Sequence, residues 1–189
     1  NSNNELQLND TAASGSAQLY TALATADSTI WEFYFRLEFP PSASNQLRVY
    51  LMADNNDFSA SLNGYFLQLG EGNAQDAIEI YRQSGTTKTL LFRATDAAVA
   101  LNPAQARVKI IRDNSGNWTL LTDYSGGNNL TLEGAFTDNT FNTSNYFGID
   151  CAYTSSRKDK FFLDDFTIQP LFLDIAPPIL DTILVANPN

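Results

Sequence analysis

The chain has 189 residues, 43% hydrophobic and 17% charged, enough for one domain with a substantial core. A formal net charge of −10 argues against nucleic acid and anionic membrane surfaces as partners, because both attract a basic footprint. Histidine is absent and there is one cysteine, which excludes Ser-His-Asp and Cys-His catalysis, His-ligated zinc and an intrachain disulfide.

Along the chain, short alternating segments are punctuated by turns, and strands are expected at residues 5–8, 17–21, 31–39, 47–53, 65–69, 78–82, 89–93, 107–112, 118–122, 146–153 and 160–168. The segment Trp31-Glu-Phe-Tyr-Phe-Arg-Leu-Glu-Phe39 carries the clearest signal. Its apolar residues alternate with polar or amphipathic ones at the period of two of a half-buried strand. The 40–45 link joins this strand to the next alternating one. The two are therefore expected to pair as a hairpin, with Glu38 opposite Arg48, Arg36 opposite Tyr50 and Tyr34 opposite Met52. The Ala-rich stretch 94–105 contains Pro103 and is expected to form a loop or one helical turn. Asp113-Asn-Ser-Gly-Asn117 reads as a tight turn, with Gly116 free to take a positive φ.

Cys151 lies in phase with Phe147 and Ile149, which predicts a buried thiol, and Trp31 and Trp118 are expected in the core. After Ile168, the Asp174-Ile-Ala-Pro-Pro178 segment interrupts the strand pattern. Residues 1–170 are thus expected to form one sandwich, and 171–189 a linker plus the first strand of a following module. The chain opens on polar residues without a leader-like segment, as expected of a mature or excised fragment. It has no apolar run near the roughly 18 residues of a membrane-spanning helix, so membrane insertion is not expected.

Taken together, WEFYFRLEF, SNQLRVYLMAD, NGYFLQLG, IEIYRQSG, VKIIRDNSGNWTLLTD, YFGIDCAYTSSRKDKFFLDDFTI and the trailing DIAPPILDTILV resemble one module. It is the N-terminal β-sandwich of Bacteroidetes lamin-tail-domain-containing surface proteins. The resemblance implies an all-β, antiparallel two-sheet jelly roll of the concanavalin A-like (laminin G-like) kind. It also implies an extracellular setting, secreted or anchored to the cell surface, with a bacterial Ig-like domain following in the same chain. Members usually carry a further Asp- and Trp-containing strand ahead of the matched region. Similar sandwiches often hold a structural calcium with an aspartate of the last strand, and by position in FFLDDFTI that ligand would be Asp165.

The residues leave several functions open. Tyr34, Tyr50 and Tyr81 fall on the polar phase of their strands. With Arg36, Arg48 and Arg82 they are candidates to line one sheet face that binds a polysaccharide or cell-surface glycan by stacking and hydrogen bonding. The same side chains would equally serve as a cross-strand ladder in a spacer domain without ligand. A retaining glucanase on this fold would need paired carboxyl groups about 5–5.5 Å apart, and no Glu-x-Asp-x-x-Glu run is present. The expectation is therefore a non-catalytic recognition or adhesion module, with a divergent glycan-degrading enzyme as the third option. Ser156-Arg-Lys-Asp-Lys160 reads as a solvated turn.

Overall fold

The computed structural model describes residues 4–25, 28–72 and 75–171. Among the described residues there are twelve strands: β1 (Leu6–Gln7), β2 (Gly15–Thr25), β3 (Thr29–Leu37), β4 (Gln46–Ala53), β5 (Leu62–Leu69), β6 (Glu79–Gly85), β7 (Thr87–Arg93), β8 (Ala104–Arg112), β9 (Asn117–Asp123), β10 (Thr131–Thr137), β11 (Ser144–Tyr153) and β12 (Phe161–Pro170). They form two antiparallel six-stranded sheets, sheet I in the order β1-β12-β3-β8-β9-β10 and sheet II in the order β2-β11-β4-β5-β6-β7. The expected linker and Ig-like strand lie almost wholly at 172–189, outside the described residues.

Alternation determines the inward face. In β3, Trp31, Phe33, Phe35 and Leu37 are essentially fully buried while Glu32, Tyr34 and Arg36 are only half-covered. Each such buried side chain is worth roughly 1.5–3 kcal/mol of transfer free energy. Strand β8 repeats the pattern beside it, Phe33 opposite Val108 and Phe35 opposite Ala106. Trp118 stacks between Trp31 and Phe136, with centroids 5.7 Å from each and ring planes within 8°. Its indole N–H donates to the carbonyl of Asp138 at 2.9 Å, which satisfies the ring's one polar atom. Cys151 is buried in the same core, and burial pushes its thiol well above the usual value.

The hairpin between β8 and β9 forms at Asp113–Asn117. The Asp113 carboxylate accepts from the N–H groups of Ser115 and Asn117 and from Nδ2 of Asn117, and Gly116 takes a φ of +75°. Residues 94–103 form a loop with a turn at 96–99, and no helix.

The expected β3–β4 hairpin is not formed. β3 pairs with β12 and β8 in sheet I, while β4 pairs with β11 and β5 in sheet II. The 38–45 segment crosses between the layers, and its tight turn is closed by reciprocal Ser42–Asn45 backbone hydrogen bonds. Alternation records which side of a strand is buried and says nothing about its neighbour, so two inward-facing strands fit opposite sheets as well as one hairpin. Strand β10 was also not expected from the sequence. It is a largely exposed edge strand with a bulge between Leu132 and Gly134, which breaks the period of two.

Candidate functional site

The outer face of sheet II is organised in two cross-strand rows. One is aromatic: Tyr20 and Tyr50 flank Gly148, Phe66 lies beside Tyr50, and Tyr81 beside Phe66. Tyr50 meets Phe66 at 5.0 Å with the rings tilted by 36°, and Phe66 stacks on Tyr81 at 5.2 Å. The adjacent row is polar and runs Gln18, Asp150, Arg48, Gln68, Glu79, Arg93 from β2 to β7.

The 54–61 loop folds back over the aromatic row. Phe58 stacks on Tyr50 at 4.2 Å and 10°, and its N–H donates to Oε1 of Gln18. Gly148 makes this possible, because a Cβ there would lie 2.4 Å from the Phe58 ring and 2.6 Å from the Leu19 carbonyl oxygen. Short polar side chains hold the loop. The Asp54 carboxylate accepts from both nitrogens of Asn63, Asn55 accepts from the Asp57 N–H, and Asp57 accepts from the Ser59 N–H and hydroxyl. The Ser59 bonds draw the Asp57 carboxyl below its ordinary value.

Beside Phe58 the sheet is left open, forming a pocket of about 330 Å³ lined by Ser16, Arg48, Ser59, Thr86, Lys88 and Asp150 among others. Its floor is an ion pair. Nη1 of Arg48 lies 3.2 Å from Oδ2 of Asp150, and the two side chains are 18% and 6% exposed. Nε of Arg48 donates to Gln68 at 2.8 Å, Nη2 donates to Gln46, and the Ser16 hydroxyl donates to the other Asp150 oxygen. The guanidinium is thus held by Gln46, Gln68 and Asp150, with both carboxylate oxygens engaged. Lys88 reaches over the Phe66 ring, its Nζ 5.4 Å from the centroid. Burial, and secondarily the Arg48 charge, hold its ammonium pKa below the ordinary value.

The six residues expected on one binding face are divided between the sheets. Tyr34 and Arg36 project from sheet I, where Tyr34 donates to Gln105 and Arg36 lies 4.0 Å above the Phe162 ring between Glu5 and Glu38. Arg48, Tyr50 and Tyr81 share the outer face of sheet II. Tyr50 is fully buried beneath Phe58, and burial pushes its phenol up to about 12. Tyr81 donates to Glu79, itself paired with Arg93. Arg82 follows Tyr81 and therefore projects from the opposite face of β6, where it binds Asp138 and Thr140 of the β10–β11 connection. Only Arg48 of the six lines the pocket. Phe58, Thr86, Lys88 and Asp150 line it without having been singled out in the sequence.

Asp165 sits at the β12 bulge with φ +55°, its side chain 55% exposed, and its carboxylate accepts from Nη2 of Arg107 at 2.6 Å. The neighbouring Asp164 carboxylate accepts from the Asp165 N–H. Calcium takes six to eight oxygens. The charged group gathered at Asp165 is a guanidinium, so this donor set does not fit the ion. Among the described residues no three Asp, Glu, His or Cys side chains cluster as a metal site.

This architecture is the legume-lectin-like, concanavalin A-like jelly-roll sandwich. Among solved structures, the chain is similar to the VIP36 exoplasmic/lumenal domain in its Ca2+/Man-bound form, with TM-score 0.70 and 14% identity over 90% of this chain and 79% of that one. It is also similar to the legume lectin-like domain from Entamoeba histolytica (TM-score 0.62, 11% identity, 89% of this chain and 85% of that one). A third is carbohydrate binding module CBM66 from Bacillus subtilis (TM-score 0.57, 11% identity, 88% and 92%). No family model and no curated protein matches the sequence. Among the described residues no helix is long and apolar enough to cross a membrane.

Proposed function

We propose that the chain is a non-catalytic glycan-binding or adhesion module that holds a saccharide in the sheet II pocket. The observation that carries this reading is the pocket itself. A rigid loop, a fixed guanidinium and the rims of Ser16, Ser59 and Thr86 offer hydrogen-bonding groups beside an aromatic wall. The lectin and carbohydrate-binding-module neighbours support the reading at the level of fold. Asp150 is the one carboxylate among the pocket-lining residues and is already engaged by Arg48 and Ser16, which supports binding rather than hydrolysis, since a glycosidase needs a pair. We extend the reading to an extracellular setting within a multidomain protein, supported by the exoplasmic neighbour and by the sequence resemblance.

A second reading, a spacer without ligand, is favoured by the internal partners of Tyr34, Arg36, Tyr81 and Arg82. A glycan array separates the two. Thr86 is exposed at the β6–β7 turn, where a tryptophan would fill the pocket mouth. The unmodified protein is expected to bind a saccharide class that Thr86→Trp loses; silence from folded protein would favour the spacer. Structural calcium with Asp165 as ligand is supported by the calcium-bound neighbours and opposed by the Arg107 pairing. Repeating the array in calcium and in chelator is expected to give the same binding.

A further inference from the structure

We propose that the sheet II pocket selects acidic saccharides, with the carboxylate of a uronic acid or a sulfate ester seated against Lys88 and Arg48. The proposal rests on the saccharide reading above and adds the charge of the ligand.

Much of the small cation set of this acidic chain is spent in internal ion pairs. Arg36 pairs with Glu5 and Glu38, Arg82 with Asp138, Arg93 with Glu71, Glu79 and Asp96, Arg107 with Asp165, and Lys109 with Glu32. Among the described residues no carboxylate lies within ion-pair distance of the Lys88 ammonium; Arg157, Lys158 and Lys160 of the 155–160 turn share that property, but of these only Lys88 lines the pocket. It is exposed on edge strand β7, at the rim of a pocket whose one carboxylate among the described residues, Asp150, already accepts from Arg48 on one oxygen and Ser16 on the other. The pocket therefore carries one more positive charge than negative, in a chain of net charge −10.

Both cations converge on one surface. The Arg48 guanidinium carbon and Lys88 Nζ lie 6.0 and 5.4 Å from the centroid of the same Phe66 ring. A neutral sugar entering here would strip water from an ammonium without giving it a counter-charge, which costs binding free energy. An anionic group at the same place gains a charge-assisted hydrogen bond from Lys88 and faces Arg48. Partial burial against the sheet, and secondarily the Arg48 charge, lower the Lys88 pKa, and Asp150 offsets part of this.

Calorimetric titration tests this with two matched ligand pairs: an oligogalacturonate and its carboxyl-reduced form, and a sulfated galactan oligosaccharide and its desulfated form. At least one acidic member is expected to bind tighter than its neutral partner by about tenfold to a hundredfold, the size of one charge-assisted hydrogen bond. Whichever pair responds identifies the source of the charge. Lys88→Gln is expected to erase the preference and Lys88→Arg to keep it, while Thr86→Trp abolishes binding. Equal affinity within both pairs, or an acid preference that survives Lys88→Gln or Thr86→Trp, overturns the proposal. If the neutral chains bind in the pocket with no gain from charge, acid selection fails and the saccharide reading stands. If no glycan binds the folded protein on the array or here, both fail.

Discussion

Trp118→Ala is expected to cost about 4 kcal/mol of unfolding free energy, the largest effect of any single core truncation here. Trp118 is fully buried and sits where the two layers meet, stacked on Trp31 and Phe136 and 4.8 Å from Tyr65. Truncation removes the ring from all three neighbours and leaves a cavity that rigid β-strands close poorly. It also leaves the Asp138 carbonyl without its indole donor, at the connection where Asp138 binds Tyr65 and Arg82. Urea denaturation followed by circular dichroism checks this, and a loss below about 1 kcal/mol would contradict the packing role assigned to the ring.

Arg48→Met is expected to be nearly as costly, at about 3 kcal/mol, for an electrostatic reason. The substitution keeps much of the stem's volume but leaves Asp150, 6% exposed, with the Ser16 hydroxyl as its hydrogen-bond donor and only the more distant Lys88 charge beside it. Replacing both partners by apolar residues is often neutral where breaking the pair is not. The double variant Arg48→Met/Asp150→Leu should therefore recover most of the lost stability while still failing to bind saccharide. Denaturation of the two single variants and the double variant forms a cycle. Additive losses would mean that the pair does not couple and that the pocket floor is not the preorganised unit described above.

The sequence makes the sandwich legible wherever one face of a strand is buried and the other is not, as in β3, β8 and β9. It does not disclose β10, where a bulge breaks the period of two and Gly134 packs against the ring of Phe92, some forty positions away, so that a Cβ there would lie 2.8 Å from it. Strand partners are equally hidden, and this displaced Tyr34 and Arg36 from the face they were expected to share with Arg48. The candidate site follows the same division. Arg48, Tyr50 and Tyr81 were recognisable as outward-facing from phase alone. That Tyr50 lies under Phe58 depends on Gly148 of β11 leaving room for a loop that follows β4, a pairing of distant residues with no local signature. Lys88 reads in sequence as an ordinary edge-strand lysine. Only the fold reveals that its neighbours across the sheet are a buried ring and an arginine whose acid is already engaged.

If recognition occurs in the sheet II pocket, amide chemical-shift mapping during titration with the best-binding saccharide will locate it there. Shifts are expected to be confined to Ser16, Arg48, Phe58, Ser59, Thr86, Lys88, Asp150 and their immediate neighbours. Shifts concentrated on sheet I around Tyr34, Arg36 and Arg107, with the pocket amides unmoved, would contradict recognition in the pocket.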